Sequence, residues 1–283
     1  MPVRTISIGF NTMDVYDFKK TMYPGGNELN TSIYAKWNGA DSAYLGYFGD
    51  DARSRHLEAV LEKNGVDISR CRHVSGVSGI AITTLVDGNR VFLRTNGGGA
   101  SGKNPILLEE RDLDYIAGFR VAMSGRYARV SPQELEKIRS RGVAVAYDFS
   151  EEFREEDLAR FAPYCDLAFL SCSERKEEAS ALLRKVHSYG AGVVTATLGA
   201  SGQVLFDGLR EYSHGASPAQ VVDTIGAGDS FAAAFTVSWY GSGLSQEERI
   251  QAALEAGSRF AAKVCGFYGS VEEGIPYEDL GPV

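Results

Sequence analysis

The segment "DTIGAGDSFAAAF" at 223–235 sets two carboxylates, Asp223 and Asp229, on either side of residues with almost no side chain, and an apolar helix starts straight after them. Gly226, Ala227 and Gly228 leave their backbone amides open to close approach, and glycine accepts backbone angles that other residues resist. With 227–241 read as a helix, these amides stand at its N-terminus. Unpaired N–H groups and the helix dipole favour an anion there, and a phosphate fits. Asp229 then lies in the first turn, beside the place where negative charge gathers, and is suited to accept a proton from a substrate hydroxyl. The structural alternative is that Asp223 caps the helix and Asp229 only complements its dipole.

A second group sits near the N-terminus. "GFNTMD" leaves the first strand with Asn11 and Asp14 just beyond its carboxyl end, and "PGGNELN" carries Gly25, Gly26, Asn27 and Asn30 into a helix start. Open α/β sheets bind ligands beyond the carboxyl ends of their strands. Carboxylate, amide and bare glycine amides suit a polyhydroxylated molecule, whose hydroxyls both donate and accept. Read structurally, Asp14 is a turn residue and Asn30 a helix-surface amide. A third segment, "TLGASGQVLF" (197–206), puts Thr197, Gly199 and Gly202 in a strand-to-turn stretch that could lie flat against a nucleotide's ribose and phosphates. A hairpin entry would read the same way.

The elements that must position these residues alternate along the chain. Short β-branched runs at 5–10, 42–48, 119–124, 143–149, 166–171 and 192–198 read as strands. Between them, "GNELNTSIYAKWNG", "ARSRHLEAVLEKNG", "SPQELEKIRSRG" and "SERKEEASALLRKVHSYG" space apolar residues by three and four and end on glycine, as helices do. Repeated strand–helix–strand units imply a largely parallel sheet covered on both faces. Two hairpins break the rhythm: 79–95 around Asp87-Gly88-Asn89, and 203–213 around Asp207-Gly208. The first is followed by "NGGGASGKN", a glycine-rich stretch suited to a hinge, and could form a flap over a site at the sheet's edge.

Composition limits the partners. The chain has 283 residues, 44% hydrophobic and 23% charged, enough for a sizeable core. A net charge of -8 without a Lys/Arg cluster argues against nucleic acid and for a small molecule. Cys71, Cys165, Cys172 and Cys265 form neither a zinc spacing nor a disulfide framework, as expected of reduced thiols. The opening "MPVRTISIGF" has no long apolar region, and no stretch approaches the roughly 18 apolar residues of a membrane span, so a cytoplasmic protein is expected.

"GGNELN" and "DTIGAGD" together resemble the two signatures of the ribokinase-like, or PfkB, carbohydrate kinases, and the similarity extends through "GADSAYLGYFGDD", "LEKNGVDIS", "DGNRVF" and "VTATLGASG". The resemblance implies a three-layer α/β/α sandwich with a mostly parallel central sheet: one kinase domain over 1–283 with a small β lid around 79–95. It implies that Asp229 is the general base, that Gly226, Ala227 and Gly228 form the anion hole, and that Asp14, Gly25, Gly26 and Asn30 hold the sugar. Thr197, Gly199 and Gly202 become the nucleotide-binding turn, with ATP and Mg2+ as cofactors. A potassium site is implied near Asp223 and the backbone of 264–270.

One departure stands out. Many members carry Asn-x-x-Glu after the fifth strand, associated with Mg2+ and its waters. Here the place reads "SCSE", with Ser171 for the asparagine and Glu174 retained. A hydroxyl remains a hard oxygen ligand; the alternative for Glu174 is a first-turn helix carboxylate facing solvent. Within the family the chain is most similar to the bacterial fructoselysine 6-kinase branch, which implies transfer to the 6-hydroxyl of a ketoamine. Fructokinase or another hexose kinase is the alternative in the same chemistry, and a sugar-binding regulator without catalysis is the alternative outside it. A dinucleotide enzyme is disfavoured, because no G-x-G-x-x-G turn follows the first strand. An acidic pocket would receive the amino group, but the sequence does not say which carboxylates line it. Arg94, ending the hairpin's second strand, could reach the acceptor, and the hairpin edge could pair two copies into a homodimer.

Overall fold

The computed structural model describes residues 1–86 and 89–279. The first third of the chain runs β1 (Arg4–Gly9), β2 (Thr12–Tyr16), β3 (Thr21–Gly25), α1 (Asn27–Trp37), β4 (Asp41–Phe48), α2 (Ala52–Lys63), β5 (Arg72–His73), β6 (Ile80–Val86) and β7 (Asn89–Thr95). The middle adds α3 (Gly99–Lys103), α4 (Glu110–Ile116), β8 (Val121–Gly125), α5 (Pro132–Ser140), β9 (Ala144–Asp148), α6 (Glu155–Phe161), β10 (Leu167–Ser171), α7 (Ala179–Ser188) and β11 (Val193–Thr197). The last part holds β12 (Gln203–Phe206), β13 (Glu211–His214), α8 (Ala227–Gly241), α9 (Gln246–Val264) and β14 (Ile275–Pro276).

Two sheets result. The larger has the order β13-β12-β11-β10-β9-β8-β1-β4-β5. It is parallel from β11 to β5, with β12 and β13 added antiparallel at one edge. The alternation of its side chains explains the three layers. Ala122, Val145, Ala168 and Leu170 point into one core with α4, α5, α6 and α7. Val121, Met123, Ala146, Leu167 and Phe169 point into the other with α1, α2, α8 and α9. Helix α8 is buried continuously from Asp229 to Thr236, as its uniformly apolar composition requires. Gly257 of α9 makes that burial possible: a Cβ there would lie 2.7 Å from the Phe231 ring.

The smaller sheet has the order β14-β3-β2-β6-β7. The expected hairpin at 79–95 is present as β6 and β7, while Asp87 and Gly88 of its turn lie outside the described residues. It is only part of the sheet, however: β2 pairs with β6 in parallel and with β3 antiparallel, and β14 joins β3. Asp14 therefore sits within strand β2 rather than in a loop beyond β1. The glycine-rich stretch after β7 is packed rather than hinge-like, since a Cβ at Gly99 would meet the backbone of Ser78 at 2.3 Å. The fourth helical pattern also begins later than its sequence suggests: α7 starts at Ala179, after a short 3-10 turn at Lys176–Glu178.

Candidate active site

Helix α8 opens at Gly226, whose left-handed backbone (φ 72°) only glycine adopts freely, and whose absent side chain leaves room for the Tyr34 hydroxyl, 2.5 Å from where a Cβ would be. Gly226 is thus the N-cap, not Asp223. Asp223, fully buried, uses its carboxylate otherwise: Oδ1 accepts from Ile225 N–H at 3.0 Å, and Oδ2 from Gly269 N–H at 3.1 Å and from the Tyr16 hydroxyl. Its own N–H donates to Cys265 O at 3.2 Å, so Asp223 and the 264–270 backbone do meet. Gly228, the second residue of α8, faces open space; the nearest atom to a Cβ there outside the helix's own backbone would be Ser171 Oγ, 3.8 Å away.

Asp229 stands in the first turn of α8, 7% exposed. Two amides from α1 aim it. Asn27 Nδ2 donates to Oδ1 and Asn30 Nδ2 to Oδ2, both at 2.8 Å. Asn30 is itself fixed, because the Ser270 hydroxyl lies 2.7 Å from its Oδ1 and turns the amide nitrogen toward Asp229. Asn27 and Asn30 reach the same carboxylate because they stand at i and i+3 of a helix start, about one turn apart on one face.

Beside this carboxylate the sugar-type residues assemble. A Cβ on Gly25 would lie 2.2 Å from Asp14 Oδ2, so Asp14 lies directly over that glycine. Gly26 (φ 101°) leads into α1 beneath Asn11. Asn11 does not face a ligand through its amide nitrogen: its Nδ2 donates to Tyr44 Oη (2.8 Å) and Tyr47 O (2.9 Å), fastening the exit of β1 to β4. Arg94 is exposed, and its charge is felt at exposed Asp17.

The strand-to-turn segment also closes on this edge. Cys172 N–H donates to Thr197 O at 2.8 Å, Gly199 is packed against Ser173, and a Cβ on Gly202 would lie 2.2 Å from His214 O. Just past His214 opens a surface cleft of about 550 Å3 between Ser217, Pro218 and Gln220 on one side and Arg259, Lys263 and Gly266 on the other. No motif signals it, since its walls come from a loop and from α9. Glu174 is exposed in the turn after β10 and belongs to no helix, and Ser171 is half-buried. Among the described residues no group of three or more His, Cys, Asp or Glu is placed to hold a metal ion. Ser171 and Glu174 therefore suit only a hydrated ion that phosphate oxygens also hold.

Two further acids reach the same place unannounced by the sequence. Glu28, 2% exposed in the first turn of α1, has its carboxyl pushed up to about 8, by burial first and then by the Asp229 charge, against hydrogen bonds from Phe10 N–H at 2.9 Å and from its own backbone N–H. Asp148, at the end of β9, is pushed up to about 6 by burial, although Ser150 N–H and the Asn27 amide both bond to it. An acid in a first helical turn reads as a dipole partner and one at a strand end as a turn residue, so neither carries a signal of its own.

An α/β sandwich with a second, smaller sheet and a glycine-capped helix presenting an aimed aspartate is the frame of a sugar kinase. The chain belongs to the pfkB family of carbohydrate kinases, matched over residues 7–276, and is an ATP-dependent sugar kinase. It is 36% identical to the fructosamine kinase FrlD of Bacillus subtilis over 99% of this chain and 97% of that one. With the fructoselysine 6-kinase of Escherichia coli strain K12 it shares 28% over 93% and 98%. Among solved structures, the ribokinase of Arabidopsis thaliana complexed with ribose and ATP superposes with a TM-score of 0.79 at 22% identity, covering 96% and 95% of the two chains. The ribokinase of Giardia lamblia gives 0.81 at 16% identity, covering 99% and 98%. These likenesses establish the ribokinase fold.

Proposed function

We propose that this kinase phosphorylates the 6-hydroxyl of a fructosamine such as fructoselysine, with Asp229 as the base. The observation that carries the reading is the pair of amides, Asn27 and Asn30, holding both oxygens of a nearly buried carboxylate beside the glycine-capped start of α8. The acceptor hydroxyl gives its proton to Asp229, its oxygen forms the new bond to the γ-phosphorus, and the bond to the bridging oxygen breaks, so that ADP leaves with that electron pair. Gly226 and Gly228 would offer their amides to the transferring group, and Gly228 has the open space this needs; the Ala227 amide donates to Thr224 O at 3.2 Å and would have to leave it to join them. Asp14, Gly25, Gly26 and Asn30 hold the sugar. Thr197, Gly199 and Gly202 receive the nucleotide's ribose and phosphates, and the 550 Å3 cleft past His214 has the size for its base.

Mg2+ would be held by the phosphates, with Ser171 and Glu174 contributing directly or through water, and would neutralise developing phosphate charge. Potassium would lie by Asp223 and the carbonyls of 264–270. The smaller sheet acts as the lid of one kinase unit spanning 1–283, and closure over the sugar limits ATP hydrolysis. Its outer strand β7 is a sheet edge with Val91 and Leu93 exposed, and two copies pair there. No helix among the described residues is long and apolar enough to cross a membrane; reliance on ATP supports the reading of a cytoplasmic enzyme.

Support for the acceptor comes from the near-complete coverage at 36% identity with a fructosamine kinase. The test is ADP release with fructoselysine, fructose, ribose and a nucleoside, for the native enzyme and for Asp229→Asn. Fructoselysine is expected to be the best acceptor, and Asp229→Asn to lose about 10²–10⁴ in turnover. Near-native turnover by a folded Asp229→Asn removes the base assignment, and preference for a nucleoside removes the acceptor.

A further inference from the structure

We propose that Ser270 is a positioning residue for phosphoryl transfer, its hydroxyl holding the Asn30 amide in the orientation that aims Asp229 at the acceptor. The inference rests on the reading of Asp229 as the base and deepens it.

Ser270 lies between α9 and β14, remote in the chain from either signature, and is fully buried. Its surroundings fix it from three sides. The Tyr34 hydroxyl of α1 donates to its carbonyl oxygen. Its own hydroxyl lies 2.8 Å from Pro24 O, on β3, and 2.7 Å from Asn30 Oδ1, on α1. Its Cβ closes on the start of α8, 3.0 Å from where a side chain on Gly226 would begin. The hydroxyl is therefore held in place by β3, α1 and α8 together.

An asparagine side chain offers an acceptor and a donor of almost the same size, so which end meets a neighbour is set by what meets the other end. Asn30 is buried, and water does not compete for either end. Its Nδ2 donates to Asp229 Oδ2, and among the described residues the donor that reaches its Oδ1 is the Ser270 hydroxyl. Removing that hydroxyl leaves a buried acceptor without a donor and frees the amide to turn away from the carboxylate. Asn27 does not make up the loss, because it donates to the other oxygen, Oδ1. Asp229 then keeps one of its two aiming bonds.

The hydroxyl has a single proton and two acceptors within reach, so it is shared between them. Pro24 leads directly into Gly25 and Gly26, the glycines assigned to the sugar. One side chain thus sets the spacing between the turn that holds the acceptor and the amide that holds the base. Proton transfer depends on that spacing, since a small misplacement of a reacting group costs a large factor in rate.

The experiment is a double-mutant cycle on kcat, run with the best of the four acceptors named above, at saturating Mg·ATP and one fixed potassium concentration. The proteins are the native enzyme, Ser270→Ala, Asn30→Ala and the double variant, each checked for a cooperative unfolding transition. Ser270→Ala is expected to lower kcat about tenfold or more while KM for ATP stays at the native value. In the Asn30→Ala background the same change is expected to cost less than about threefold, because the amide it orients is already gone. Ser270→Cys keeps a weaker donor, is expected to fall between serine and alanine, and takes the place of Ser270→Ala if that variant does not fold. Equal losses in the two backgrounds, or native kcat in a folded Ser270→Ala, overturn the inference while Asp229 remains the base. Near-native turnover by a folded Asp229→Asn overturns the base itself, and the inference with it.

Discussion

Tyr16, on strand β2 of the smaller sheet, donates its hydroxyl to the fully buried carboxylate of Asp223, in the loop that runs into α8. The bond joins the two parts of the molecule between which substrates must lie. Around it Tyr16, Tyr23 and Ile225 form a small core of their own, with the Tyr16 and Tyr23 rings 4.9 Å apart.

Tyr16→Phe keeps the ring packing and removes the donor. Losing a donor to a buried carboxylate costs about 1–3 kcal/mol, so thermal unfolding should move down by several degrees. Turnover should fall as well, because the loop carrying Gly226 loses its tie to the sheet above it. Unchanged melting and unchanged kcat would show that the tie does nothing.

Gly226 and Gly228, two residues apart, should differ in what their replacement does to stability. Gly226→Ala forces a side chain into a left-handed backbone and against the Tyr34 hydroxyl, so stability and activity are both lost. Gly228→Ala meets nothing closer than 3.8 Å and lies in a helix, where alanine is favoured, so melting should hold or rise. The added methyl nevertheless occupies space meant for the phosphoryl group, and kcat should drop by at least tenfold. Full activity in Gly228→Ala would remove residue 228 from the anion hole.

The buried Glu28 predicts a pH dependence of stability. Its carboxyl titrates near 8 in the folded chain against 4.5 ordinarily, so the fold holds this proton more tightly than the unfolded chain does. The associated stability is fully present below about 4.5 and is lost as pH rises through 8. Glu28→Gln mimics the protonated form. Its melting temperature should match the native value at pH 5 and exceed it at pH 8.5. A difference that is constant across this range would count against a buried, protonated Glu28.

Dimerisation through β7 is open to a direct test. Val91 and Leu93, two residues apart on an edge strand, are 41% and 59% exposed. Leu93→Glu should convert a dimer to a monomer in light scattering without lowering the melting temperature. A native enzyme that is already monomeric, or a variant that stays dimeric, excludes this edge as the interface.

The main sheet was legible because its signals are local. Apart from the two-residue β5, each parallel strand is a short, mainly apolar run, and α8 occupies 227–241 as its glycines and apolar run require. The smaller sheet was legible only at β6 and β7, a hairpin joined by a tight turn. Strands β2 and β3 are short and follow β1 almost at once, and they become strands by pairing with distant residues: Asp14 with Ala81, Met22 with Ile275. The site divides the same way. Gly226, Gly228 and Asp229 lie within one motif. The convergence of Glu28 and Asp148 on a single cavity is created by packing α1 against the end of β9, and no spacing along the chain encodes it.

The two residues of β14 bear on how the enzyme comes into being. Ile275 and Pro276 close the row of β3 through Met22 and Thr21, so a strand made early in synthesis waits for one made late. Pairings so remote along the chain form slowly. A nascent polypeptide stalled before residue 275 would hold its phosphate loop and its aspartate yet lack a finished roof, and competence should arrive only once Ile275 and Pro276 have left the ribosome.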